Sequence, residues 1–353
     1  MECELVMNEI DQPSFRIGVF DHLDDGGRDV GQQYADRLRI AEACDRAAFY
    51  GYHIAEHHGT PHGLAPSPNL FLSAMAQRTR TLRLGPLVML LSLYHPLRAF
   101  EEVCMLDQLS GGRVDLGIGR GAVPLELGFF GIAGEEIASR YEEASEILLQ
   151  AMRGGTLNYH GRYFDLRDVP ITLASVQKPH PPLWYGTVKP DSAAWAAKHR
   201  MNIVTYGPVE GIRRVTDSYR ATWTDHCGPR ATTPLLGMIR PVVVAETVRE
   251  AQALAEPAYE RWSETLLALP RRSGPPLPPR ATSFAEAVQS GLCIAGTVAS
   301  VREALLKQVH DAGSNYLLCQ VAFGDLPVEV SLNTIDAIKA SVMPATGIVT
   351  LTG

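Results

Sequence analysis

Eight times along its 353 residues this chain sets a short apolar run before a longer stretch with an apolar stripe, and that alternation limits the fold more than any other feature. An apolar run of four to eight residues fits a strand buried on both faces, and the amphipathic stretch after it supplies the helix that covers one face. The runs fall at 15–20 (FRIGVF), 52–55 (YHIA), 82–91, 113–119, 182–186, 202–207, 235–245 and 315–324. Between them, Tyr34, Leu38, Ala41 and Ala48 share one helical stripe. Pro96 opens a helix that Gly111 and Gly112 stop. Further helices are expected near 137–152, 210–224, 247–268 and 297–312. Eight such pairs predict a (β/α)8 TIM barrel with insertions, a single domain over 1–353, because an open doubly wound sheet usually has five or six strands. Two stretches interrupt the pattern. Residues 157–182 read as a hairpin, and 269–283 (LPRRSGPPLPPRATS) is too rich in Pro and Gly to hold a helix or a central strand. An insertion of that kind, spanning 269–291, is expected as a lid over the active end.

The partner of such a barrel is a small molecule. A net charge of -7 argues against nucleic acid or an anionic membrane, which need clustered Lys and Arg. The six cysteines are scattered with no C-x-x-C pair, the first residues carry acids rather than a basic leader, and no stretch reaches about 18 uninterrupted apolar residues. A soluble, cytoplasmic protein is expected.

Chemistry in a barrel of this kind sits at the C-terminal ends of the strands. After the second run, YHIAEHHGTPHG places four histidines within ten positions: His53, His57, His58 and His62. Neighbouring residues of an extended chain point to opposite faces, so His57 and His58 cannot both face one ion while the strand continues, and the i, i+4 spacing of a helical zinc site is absent. No metal is expected. A proton carrier at the barrel mouth and ordinary hydrogen bonding to a loop both remain open. After the fourth run, GIGRGA (117–122) matches a dinucleotide fingerprint, but Pro124 and further glycines follow, with no convincing helix before about 137. What is left is a glycine-flanked Arg120, equally a phosphate grip or a loop arginine. After the fifth run, GTVKPDSAAWAA sets Gly186, Thr187 and Ser192 at a helix start, an anion cup or an ordinary capped helix.

Taken in order, these pieces resemble a known family. Residues 55–121 carry E-H-H, R-T-x-x-L-x-x-G, H-P-x-R and L-D-x-x-S-x-G-R-x-x-x-G-x-x-R-G. In this they are closely similar to the bacterial luciferase-like flavin monooxygenases. Weaker similarity continues through SAAWAA, GTVASVREALLKQVHDAG and ASVMP, leaving out only the first dozen residues and 269–291. The resemblance implies that His57 is the catalytic histidine, with Glu56 and His58 as its neighbours. It implies that Arg120 and Ser192, with the Thr187 loop, hold the flavin phosphate, and that a non-proline cis peptide at Leu87–Val88 lies beneath the ring. The luciferase branch has cysteine where this chain has Gly119, so light emission is not implied.

The expected activity is therefore a monooxygenase that uses reduced FMN and O2, by way of a flavin peroxide, to oxidise a hydrophobic aldehyde, ketone or similar compound. The reduced flavin is expected from a separate flavin reductase. Hydride transfer with a deazaflavin and flavin binding without turnover are the competing readings. Phe20, Leu91, Phe129 and Phe130, near strand ends, are candidate substrate-pocket residues, and each could equally be core. Two helices, with Leu70, Phe71 and Met75 on one and Leu97, Phe100, Val103, Cys104, Met105 and Leu106 on the other, carry more apolar residues than one stripe needs, which predicts a homodimer.

Overall fold

The computed structural model describes residues 15–273 and 283–346. In chain order it runs β1 (Arg16–Asp21), α1 (Val30–Arg46), β2 (Gly51–Ile54), α2 (Pro68–Arg78), β3 (Arg83–Pro86), β4 (Met89–Leu90), α3 (Pro96–Ser110) and β5 (Leu116–Gly119). A short α4 (Pro124–Gly128) precedes α5 (Ile137–Ala151), and then come β6 (Gly155–His160), β7 (Asp165–Ile171), β8 (Leu183–Gly186), α6 (Pro190–Lys198), β9 (Asn202–Thr205) and α7 (Val209–Cys227). The chain goes on through β10 (Leu236–Val244), α8 (Val248–Ser273), α9 (Phe284–Gln289), β11 (Ile294–Gly296), α10 (Val298–Asp311), β12 (Tyr316–Gln320) and α11 (Val328–Ser341).

The strands lie in the order β3-β2-β1-β12-β10-β9-β8-β5-β4, and the pairs within this ring are parallel. Strands β3 and β4 are two halves of one stave, parted at a cis peptide bond between Leu87 and Val88, the position at which the resemblance put one. A parallel bridge from Leu84 to Val114, just before β5, joins the two ends. The result is the expected barrel of eight staves. The only antiparallel ladder among the described residues is the β6–β7 hairpin, which stands apart from the barrel.

Alternation along each strand sends one set of side chains inward and the other against the helices. The inward set packs as Phe20, Ala55, Leu87, Trp184, Val204, Tyr316 and Leu318. Gly18 faces the same space, and a Cβ there would lie 2.0 Å from the Tyr316 hydroxyl, so the barrel closes around the tyrosine only with glycine at that position. His53 belongs to this interior too: it is fully buried, its Nε2 is 2.9 Å from the Tyr316 hydroxyl, and burial lowers its pKa to about 3, which keeps it neutral. The first histidine of the cluster is thus a core residue.

Three expectations are corrected. Residues 269–273 are helical, because α8 continues through Pro257 and Pro270 to Ser273. Pro270 stands in the last turn, where the ladder ends within a few residues anyway, whereas Pro257 is carried in the helix interior. The start of the expected lid is therefore helix, residues 283–289 hold a capped α9 in which Ser283 and Glu286 form a reciprocal capping box, and 274–282 lie outside the described residues. Secondly, a helix does begin before residue 137, since α4 opens at Pro124 with the proline in its first turn. Thirdly, most of the surplus apolar residues on α2 and α3 face this chain's own core. Met75, Phe100, Val103, Cys104 and Leu106 are at most 2% exposed, while Leu70 (75%) and Met105 (55%) point outward with Leu109 (51%).

Candidate active site

The E-H-H run leaves β2 at the mouth of the barrel, and its three side chains part company. Glu56 is buried; its Oε1 pairs with His58 Nε2 at 2.9 Å, its Oε2 accepts the Leu90 N–H at 3.0 Å, and the Tyr94 hydroxyl also bonds to it. Burial raises the Glu56 pKa, and these hydrogen bonds work against the rise. The carboxylate therefore ties the end of β2 to β4, just past the cis bond. His58 is held from both sides, by Glu56 and by an edge-on contact with Phe130 at 4.8 Å between ring centroids. His57 alone keeps a quarter of its side chain exposed. Its Nδ1 lies 3.5 Å from Oε1 of Glu126, a carboxylate on α4 that is 1% exposed and also accepts the His58 backbone N–H. With its proton on Nδ1 toward that carboxylate, the neutral ring keeps its lone pair on Nε2. Gly63 makes the fit possible, since a Cβ there would come within 2.8 Å of the His57 Cβ.

Beside His57 stand two more imidazoles. His22 follows β1, His62 follows the E-H-H loop, and one nitrogen from each of the three rings lies within 4.8 Å of the others. The ring centroids are 4.1 Å apart for His22–His62, 5.1 Å for His57–His62 and 6.0 Å for His22–His57. Helix α8 sets the orientation of two of them. The Trp262 indole N–H donates to His22 Nδ1 at 3.3 Å. The Thr265 hydroxyl lies 2.8 Å from the Trp262 carbonyl and 3.1 Å from His62 Nδ1. A neutral His22 that accepts from Trp262 at Nδ1 carries its proton on Nε2. The helix is itself tied to the mouth, with Arg261 Nε donating to the Asp25 carbonyl at 3.0 Å.

Across the mouth, β5 pairs with β8 in the register Gly117 to Trp184, and Arg120 and Thr187 each stand just past the end of their strand. The Ser92 hydroxyl bonds to the Arg120 carbonyl at 3.0 Å, fixing the backbone, while the side chain is exposed and, among the described residues, forms no ion pair. Helix α6 starts after Lys189 with no side-chain cap, so the N–H groups of its first turn, next to Ser192, stay available. Thr187 Oγ1 accepts the Lys189 N–H at 3.0 Å and shapes the loop between. Asp191 in the same turn is the one local feature that disfavours an anion. Val88 forms the floor between these ends: a Cβ on Gly119 would be 2.4 Å from Val88 Cγ2, whereas at Gly186 the nearest atoms are 3.8 Å away. Glycine at 119, where the luciferase branch has cysteine, is thus a packing requirement of Val88. The unpaired arginine, the uncapped helix start and the glycine-flanked floor fit a planar cofactor with a phosphate tail.

The four apolar candidates do not act together. Phe20 lies inside the barrel, edge-on to His22 at 4.8 Å. Leu91 is fully buried in the outer core and presents no surface to a ligand. Phe129 and Phe130 are 46% and 52% exposed, at the end of α4. Sequence reasoning missed His22, Glu126, Trp262 and Thr265. His22 carried a usable signal, because it follows an apolar strand as His57 does; the other three sit on helices with no local motif.

The family model described as Luciferase-like monooxygenase matches residues 15–316. The protein y4wF of Sinorhizobium fredii, itself uncharacterised, is 53% identical over 342 residues, 97% of this chain and 100% of that one. The oxygenase component of the flavin-dependent trigonelline monooxygenase of Acinetobacter baylyi is 25% identical over 192 residues, 53% of each chain. Among solved structures, monooxygenase RslO1 of Streptomyces bottropensis superposes with a TM-score of 0.84 at 26% identity, over 93% of this chain and 99% of that one.

Proposed function

Since the chain belongs to the luciferase-like monooxygenase family and is a flavin-dependent oxidoreductase, we propose that it uses reduced FMN and O2 to oxidise a small molecule with apolar surface. The observation that carries this reading is His57, the most exposed side chain of E-H-H, backed by the buried Glu126 carboxylate. When bound, reduced FMN supplies the electrons that activate dioxygen. The chain's own residues do the rest. Arg120, the Thr187 loop and the first turn of α6 with Ser192 hold the phosphate; Leu87 and Val88, flanked by Gly119 and Gly186, give the ring a floor. His57 Nε2 accepts or returns a proton beside it, and Glu126 steadies the imidazolium that results. Glu56 and His58 hold the strand end that aims His57.

The relative named an oxygenase component supports a separate flavin reductase as the source of reduced FMN. Oxygen-electrode measurements test this: with NADH and FMN the chain alone is expected to consume little O2, and adding a purified flavin reductase starts uptake. Full NADH oxidation by the chain alone would overturn the two-component reading. Tighter binding of a deazaflavin than of FMN in a fluorescence titration would overturn the choice of cofactor. The buried or half-buried thiols among the described residues, and the lack there of any helix long and apolar enough to cross a membrane, are compatible with a place in the cytoplasm.

Leu70, Met105 and Leu109 support a homodimer built through α2 and α3, two helices packed on each other whose outer face keeps large apolar side chains. Sedimentation equilibrium at low micromolar concentration is expected to give about twice the 38.5 kDa of one chain, and Leu70→Arg is expected to return the single-chain mass. A wild-type mass near 38.5 kDa would sink the dimer.

A further inference from the structure

Between Arg120 and the start of α5 the chain leaves the barrel wall, and one buried hydroxyl holds both ends of that excursion. Ser92 sits fully buried in the single helical turn Leu91–Leu93 after β4, with its Oγ 3.0 Å from the Arg120 carbonyl and 3.3 Å from the Ile137 carbonyl. A hydroxyl carries one hydrogen, so the two carbonyls share it. The Ser92 carbonyl in turn accepts from Arg140 Nε at 3.2 Å. The Arg140 guanidinium lies over the rings of Tyr163 and Phe164, 5.3 Å from each centroid, where the chain turns between β6 and β7.

The excursion, residues 121–136, is built as a unit. Leu127 and Ile132 pack with Ile137, and with Leu93 next to Ser92, in a small cluster apart from the main core. Gly121 turns the chain with a φ of 93°, and a Cβ there would lie 2.6 Å from Leu127 Cδ1, so the turn takes only glycine. At the far side Glu126 meets His57 and the His58 N–H, and Phe130 meets the His58 ring. The Phe129 ring covers Gly59, where a Cβ would come within 2.7 Å of it. One segment therefore has the phosphate arginine at its base and the acid behind His57 at its tip.

We propose that Ser92 is the positioning residue for both. By tying the two ends of the segment together it fixes the backbone from which Arg120 reaches the flavin phosphate and sets the place at which Glu126 meets His57. This deepens the flavin reading and rests on it for the role of Arg120, while the tying itself is testable without flavin.

Ser92→Ala deletes the shared hydrogen with little change in volume. Hydrogen–deuterium exchange of the full chain without ligand is expected to speed up in peptides covering 121–136 and 57–59 and to keep its wild-type rate in β1 and β12. In fluorescence titrations FMN is expected to bind the variant roughly three- to tenfold more weakly, the scale of one or two neutral hydrogen bonds. Riboflavin, which has the same ring and no phosphate, is expected to keep its wild-type constant. In an Arg120→Ala background, Ser92→Ala is expected to cost no further FMN affinity, because the arginine through which it acts is gone. Ser92→Cys fills the same space with a weaker donor and is expected to fall between alanine and the wild type. Unchanged exchange in 121–136, equal weakening of FMN and riboflavin, an undiminished effect in the Arg120→Ala background, or full wild-type behaviour in Ser92→Cys would each overturn the proposal. A wild type that binds FMN no better than riboflavin would count against the phosphate role of Arg120, and exchange alone would then decide whether Ser92 ties the segment.

Discussion

Replacing His57 by alanine is expected to lower substrate oxidation about 100-fold or more, the usual scale for a positioned proton carrier, while the barrel still folds and still takes up FMN. The structure explains why the damage stays local. His57 contributes nothing to the barrel interior, where His53 already fills the space beneath Tyr316, and the end of β2 is anchored by Glu56 through Leu90 and His58. The measurement is product formed per reduced FMN oxidised, with oxygen uptake followed alongside. Glu126→Gln gives the companion result: it keeps an acceptor near Nδ1 and removes the charge, so the loss is expected to be smaller than for His57→Ala and to depend on pH. Wild-type turnover in His57→Ala would remove the residue from the mechanism.

Arg120→Ala is expected to weaken FMN binding by roughly 1.5–3 kcal/mol, on the order of ten- to a hundredfold in the dissociation constant. The guanidinium is exposed and, among the described residues, has no carboxylate to leave behind, so the substitution removes a ligand contact without creating a buried unpaired charge. Arg120→Lys recovers only part of the affinity, because the two parallel hydrogen bonds of the planar fork are lost. Quenching of flavin fluorescence reads both variants. An unchanged constant in Arg120→Ala would make the residue a bystander and leave the α6 start to hold the phosphate alone.

The periodicity of the sequence determined the barrel, since each buried parallel strand must be apolar on both faces and each covering helix must carry one apolar stripe, and those patterns are local. It also determined the strand ends at which His57, Arg120 and Thr187 stand, because the position of a residue just past an apolar run can be counted without knowing the fold's closure. Pattern alone could not say what each residue of a cluster does. His53, His57, His58 and His62 look alike in sequence, yet one is sealed inside the barrel, one is clamped by Glu56, one rests on Thr265 and one faces the mouth. Nor could it count the apolar surplus on α2 and α3 correctly, because whether Phe100 or Leu70 meets the chain's own core depends on how the helix is rotated against its strands. Only the closed barrel brings His22, Glu126, Trp262 and Thr265 to His57. They arrive from the end of β1, from α4 and from α8, with His22 and Trp262 240 residues apart in sequence, and no local propensity connects them. Ring closure sets strands that are distant in sequence side by side, and which side chains surround His57 is fixed by that step.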